Sequence, residues 1–103
     1  MELKISESAK EFIKNKLFQL QGVGGLLVNF VEYKSCCGAF VQVSNAMVVD
    51  IEKHDTRIVP VADDSEGITA YVERGSDFFE TNYTIIRVDT KDKNCDSLSV
   101  QFE

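Results

Sequence analysis

The sequence predicts one small α+β domain covering residues 1–103, with a mixed β core and two helices. Three observations lead there. Short runs of β-branched and aromatic residues recur along the chain, bounded by glycine and polar clusters. Two segments instead show helical spacing behind acceptable caps. The length of 103 residues, with 44% hydrophobic and 27% charged side chains, fits one core and not two. The order of strands and hairpins does not alternate as βαβ units would, so the class is α+β.

The elements follow in order. Leu3-Lys4-Ile5 starts a short strand. Ser6 and Ser8 are both N-cap candidates, and Ser8 with Glu11 has capping-box spacing. Ala9, Phe12, Ile13, Leu17 and Leu20 then recur with helical period, interrupted only at Lys16, which predicts a helix over 6–20 ended by Gly22. Gly24-Gly25 opens a strand over 26–33, and a second strand covers 40–43, so the intervening Cys36-Cys37-Gly38 sits in a hairpin or tight connection. Further strands are expected over 47–51 and 58–61, the latter at a sheet edge or with Pro60 at a strand end. Asp63 with Glu66 fits helix capping, and Ile68, Tyr71 and Val72 share one helical face, which predicts a second helix stopped by Gly75. Asp77-Phe78-Phe79-Glu80 and a turn near Asn82 precede a strand over 83–88. A polar segment over 89–97 carries Cys95, and the last strand covers 98–102.

Charge removes several classes of function. Seventeen acidic against 11 basic residues give a net charge of −6, with no basic patch of the kind that binds nucleic acid. The same acidity disfavours anionic membranes. The opening Met1-Glu2-Leu3-Lys4-Ile5 lacks the basic-then-apolar pattern of a signal peptide, and no apolar run reaches membrane-spanning length. The expected compartment is therefore the cytoplasm, where thiols stay reduced. An odd number of cysteines, three, also fits poorly with a disulfide framework.

Those cysteines are the main chemical signal. Cys36 and Cys37 are adjacent, and Cys95 lies far along the chain in a polar stretch that suits an exposed, reactive or ligating thiol. Successive residues of a regular strand point to opposite faces, so Cys36 and Cys37 are not both core residues unless a turn at Gly38 intervenes. Thiolates bind iron–sulfur clusters and soft metals and carry out disulfide exchange. A cluster usually takes four thiolates, so three per chain imply a second subunit, a small thiol or another ligand. Other patterns are weaker. Gly22-Val23-Gly24-Gly25 runs helix, glycines, strand, the reverse of a phosphate loop. Asp92, Asn94, Asp96 and Glu103 partly match a calcium loop whose glycine is replaced by Ser97. His54 reads as an exposed loop residue, and Asp63-Asp64-Ser65-Glu66 as an acidic helix start.

Several of these stretches together resemble the HesB/IscA-like family, the A-type iron–sulfur carriers. Ile5-Ser6-Glu7-Ser8-Ala9 is similar to the family's opening "I-T-E-x-A". The 26–33 strand followed by Ser35-Cys36-Cys37-Gly38-Ala39-Phe40 resembles its strand and "G-C-S-G-x-x-Y" motif. Residues 61–75 resemble its middle strand, short helix and glycine, and Asp77-Phe78-Phe79-Glu80 its "I-D-Y/F-x-E" strand. Cys95 falls where the family's "C-G-C-G" begins, but Asp96 replaces a glycine and Ser97 the third cysteine. Cys37 is additional, standing where the family has serine. This Ser-Cys-Cys-Gly pattern looks like a branch that carries a Cys-Cys pair or selenocysteine.

The resemblance implies a HesB-like mixed β barrel or sandwich with two helices. It also implies a non-enzymatic role in iron–sulfur cluster assembly or transfer. Cys36 and Cys95 would then be ligands of a cluster or of iron, with Cys37 replacing the missing thiol. Implied partners are a second copy of the chain, in a dimer or larger assembly, and client or donor proteins. Two alternatives stay open: a thiol redox protein using Cys36 and Cys37, with Cys95 as a possible resolving thiol, and a domain kept for interaction alone.

Overall fold

The structure, a computed structural model, describes residues 1–20, 23–54, 57–64, 66–90 and 98–103, with backbone alone at 32 and 40–43. Seven strands and one helix are laid out in the order β1 (Glu2–Ile5), α1 (Glu7–Gln19), β2 (Gly24–Lys34), β3 (Phe40–Asp50), β4 (Ile58–Asp63), β5 (Thr69–Glu73), β6 (Ile85–Thr90) and β7 (Leu98–Phe102). A 3₁₀ turn at Asp77–Glu80 lies between β5 and β6. The strands form one mixed sheet in the order β1-β6-β7-β3-β2-β5-β4. Its two edge strands, β1 and β4, touch, so the sheet curls into a nearly closed barrel.

The long β2–β3 hairpin is the spine of this barrel. The two strands stay in register over their full length, from Gly24↔Asp50 to Lys34↔Phe40. Strand alternation then sorts their side chains. Leu26, Val28 and Phe30 point inward together with Ala46, and all four are buried. β5 joins β2 in parallel at Leu26↔Ala70, while β7 joins β3 in antiparallel fashion at Ala46↔Leu98. Ile86, Val88, Leu98 and Val100 complete the interior from β6 and β7. At one end Phe30, Phe78, Tyr83 and Phe102 form an aromatic cluster, with Phe30 edge-on to the other three rings at centroid distances of 5.2–6.2 Å.

α1 buries Ala9 and Ile13 against the barrel. Its N-cap is Ser6, whose hydroxyl accepts from the Ala9 amide and donates to Asp89 at 2.7 Å. Ser8 instead bonds Thr90 across to β6. Lys16 accounts for the break in the apolar stripe, because its ammonium lies 5.6 Å over the Phe12 ring. The helix ends at Gln19, and Gly22 lies outside the described residues.

The two-helix α+β expectation is overturned. The described chain has one α-helix on a β barrel, and the segment after Asp63 is the β4–β5 hairpin. The helical reading paired Ile68 with Tyr71 and Val72, but the buried set is Ile68, Ala70 and Val72, an alternation of period two. The acidic run serves the turn. Asp64 accepts from the amides of Glu66 and Ile68, and Asp63 accepts from Thr69 at 2.6 Å. Gly67, at φ +91°, completes the reversal. Glu66 pairs with Lys14 at 2.7 Å and so ties α1 to this turn. The Asp77–Glu80 segment is likewise a 3₁₀ turn capped by Ser76 where the family likeness implied a strand. The strands expected over 40–43 and 47–51 are one continuous strand. Pro60 does lie on edge strand β4, next to a bulge at Val61.

Two outcomes test this packing. A methyl group at Gly25 would sit 2.6 Å from the Tyr71 ring and 2.8 Å from Ile51 Cδ1, so Gly25→Ala should cost about 1–3 kcal/mol in urea unfolding. Ser6→Ala should cost about 1 kcal/mol through the lost cap. The Ser6 hydroxyl, with the Thr90 amide, also holds the Asp89 carboxyl below the usual aspartate value. That contribution is present at neutral pH and lost as pH falls through the lowered value. The gap between Ser6→Ala and wild type should therefore narrow in acid.

Candidate functional site: a hairpin tip with two thiols

Cys36 and Cys37 lie in the loop that joins β2 to β3. The loop is closed by two hydrogen bonds: the Ser35 amide donates to the Ala39 carbonyl at 2.7 Å, and the Gly38 amide to the Ser35 carbonyl at 2.9 Å. Gly38 has φ +85°, a conformation that side-chain-bearing residues rarely adopt. This pattern belongs to a three-residue hairpin loop, a type I turn followed by a left-handed glycine. Ser35 and Gly38 occupy the positions that such a turn favours for serine and glycine, so the flanks of the Ser-Cys-Cys-Gly motif have a purely local explanation. The two cysteines fill the central positions, and nothing in the turn geometry asks for sulfur there.

Both thiols are free and exposed. In a turn, consecutive side chains are released from the opposite-face rule of a strand, so both sulfurs reach solvent from one tip. The tip is cationic on one side, where the Lys34 chain passes within 3.9 Å of where a Gly38 Cβ would sit. Below the tip, on the outer face of β2, Val31 and Tyr33 are each about half exposed. Apolar side chains thus stand next to the thiols in solvent.

Of the three cysteines expected to act together, the structure places Cys36 and Cys37 side by side. Cys95 lies outside the described residues, as do Asp92, Asn94, Asp96 and Ser97 of the calcium-loop pattern. Glu103, its last member, pairs with Arg87. Among the described residues, no three His, Cys, Asp or Glu side chains converge as metal ligands would. His54 follows the turn after β3 and is half-buried rather than exposed. Gly24 and Gly25, the end of the glycine cluster, lie inside β2 and give room to Leu20, Tyr71 and Ile51. No described helix is long and apolar enough to cross a membrane.

One pair of residues was missed from sequence. Arg57 and Arg74 face one another where the β4–β5 hairpin opens, the Arg74 amide donating to the Arg57 carbonyl at 2.9 Å. Their proximity depends on that hairpin, and a helix over the same residues would have separated them.

The exposure of the tip has a direct consequence. N-ethylmaleimide should modify Cys36 and Cys37 in the folded, metal-free protein as fast as in urea, as mapped by mass spectrometry. Protection of either would contradict the exposed tip. Cys37→Ser should change unfolding stability by less than about 0.5 kcal/mol, since no packing is lost.

No protein-family model matches the chain, and no curated protein matches it in sequence.

Proposed function

We propose that the chain binds an iron–sulfur cluster or iron through the thiolates of Cys36, Cys37 and Cys95 and works in cluster assembly or transfer, as a relative of the A-type carriers. The observation that carries this reading is the pair of free, exposed thiols at the end of a hairpin paired over its full length. A carrier must hold its cargo firmly and also let an acceptor reach it. Thiolates supply the affinity, since soft sulfur donors select iron–sulfur clusters over the cations that prefer oxygen. A loop tip supplies the access. The nearby Lys34 charge suits an anionic metal–thiolate group, and exposed Val31 and Tyr33 offer apolar area to an acceptor.

Ligand number adds a partner. A cluster takes four thiolates and the chain has three cysteines, so a fourth ligand comes from a second copy or from a client.

A second reading rests on the adjacency of Cys36 and Cys37 within one turn. A disulfide between neighbours is strained and easily reduced, which suits reversible redox work.

Anaerobic reconstitution with iron and sulfide separates the two. The carrier reading expects visible absorption from a bound cluster and bound iron, both falling by about tenfold or more in the Cys36→Ser, Cys37→Ser double variant. No visible absorption, with iron content unchanged in Cys36→Ser, would sink it. Mass mapping under a controlled thiol potential checks the redox reading: a Cys36–Cys37 or Cys95-linked disulfide supports it, and fully reduced thiols throughout remove it.

A further inference from the structure

A cleft of about 560 Å³ opens where β2 and β5 diverge, lined by Val28, Phe30, Arg57, Arg74, Ser76 and Asp77 among others. Two features are unusual, one of the β2 edge that continues past the cleft and one of the cleft wall itself. The first is a strand edge. The Val23 carbonyl accepts from Ile51 and the Ser35 amide donates to Ala39, so the odd-numbered residues of β2 direct their backbone groups to β3. The even-numbered residues direct theirs the other way, as the Phe30 carbonyl shows by accepting from Ser76 Oγ at 3.3 Å. β5 pairs with β2 only at Leu26 and Leu27. Beyond Phe30, the backbone groups of Glu32 and Lys34 therefore face a side on which no described strand pairs with them.

The second feature is charge. Arg57 and Arg74 are directly opposite one another across the β4–β5 hairpin, one step beyond the Ile58↔Glu73 pair. Like charges directly opposite are destabilising. Glu73 and Asp77 also line the cleft, yet among the described residues neither forms an ion pair with Arg57 or Arg74. Arg87, the remaining arginine, is paired with Glu103. Two arginines that the register sets directly opposite one another at a cleft, neither in an ion pair among the described residues, are a place where an external carboxylate relieves repulsion.

We infer that this cleft, together with the β2 edge beyond it, docks an extended acidic segment of another protein. The segment adds as a strand to the β2 edge at Glu32 and Lys34, and its carboxylates meet Arg57 and Arg74 at the end nearest Phe30. Main-chain bonds would give affinity and the arginines would give specificity. The added strand runs toward the tip that carries Cys36 and Cys37, so a docked protein is brought alongside the thiols. None of the contacts involves a cysteine, and the inference stands whatever the thiols bind.

The test uses the full, metal-free chain and a labelled decapeptide of alternating valine and glutamate, with a valine–lysine peptide and inorganic phosphate as controls. Three results are expected. The acidic peptide binds and the lysine peptide does not. The Arg57→Glu, Arg74→Glu double variant weakens binding by about tenfold or more. Amide exchange at Glu32 and Lys34 slows on binding, while Val31 and Tyr33, already bonded to β3, do not change. The exchange readout needs no variant, so it stands even if the double variant is unfolded by circular dichroism. Absence of binding, equal binding of the lysine peptide, or binding without protection at Glu32 and Lys34 overturns the inference. So does phosphate competing fully while those amides exchange freely, which marks a small-anion site only.

Discussion

The continuous pairing of β2 with β3 is the constraint on which the rest of the structure depends. The pairing runs from Gly24↔Asp50 to Lys34↔Phe40 without a bulge. Because the register does not slip, one set of side chains faces inward along the whole hairpin. That set gives β5 and β7 an apolar surface on which to pair, and it seats Phe30 in the aromatic cluster with Phe78, Tyr83 and Phe102. The same register fixes the loop. Only a short reversal fits beyond Lys34 and Phe40, and Gly38 supplies the left-handed residue that it needs. The cysteines stand at the tip because the strands below them leave no other place.

This arrangement separates stability from chemistry. The buried side chains are all apolar among the described residues, and the thiols lie outside that set. Substitution at the tip is therefore tolerated by the fold, and a change in thiol chemistry is read without the confusion of unfolding. Electrostatic contacts act at the periphery. Glu66 ties the β4–β5 turn to α1 through Lys14, whose ammonium holds the Glu66 carboxyl below its usual range, and both groups are exposed to solvent. Such a pair orients the turn more than it stabilises the core.

Much of the local structure was legible in the sequence, and the exceptions have physical causes. The β2 run, the hairpin around Cys36-Cys37-Gly38 and the edge position of Pro60 follow from strand propensity, turn chemistry and the missing proline donor. α1 was legible because its apolar spacing and its serine caps agree. The β4–β5 hairpin was not, since Asp63, Asp64 and Glu66 serve an Asx turn as readily as a helix start. Ile68, Tyr71 and Val72 fit a helical face, while Ala70, too small to draw notice, carries the alternation that wins. That one misreading also hid the Arg57–Arg74 pair. At the candidate site, the adjacency of Cys36 and Cys37 in a hairpin connection could be read from the turn signal, but their exposure could not, because a turn allows both burial and exposure of consecutive side chains. Where Cys95 stands relative to them is a matter of tertiary placement, which spacing along the chain does not encode.

The central claim is that the two thiols of the hairpin tip are ligands of iron. Iron K-edge X-ray absorption of the anaerobically loaded protein tests it most directly, because it reports the atoms bound to the metal. The account predicts a first shell dominated by sulfur, lost in the Cys36→Ser, Cys37→Ser double variant. A shell of oxygen and nitrogen, or a sulfur shell unchanged in that variant, would contradict it.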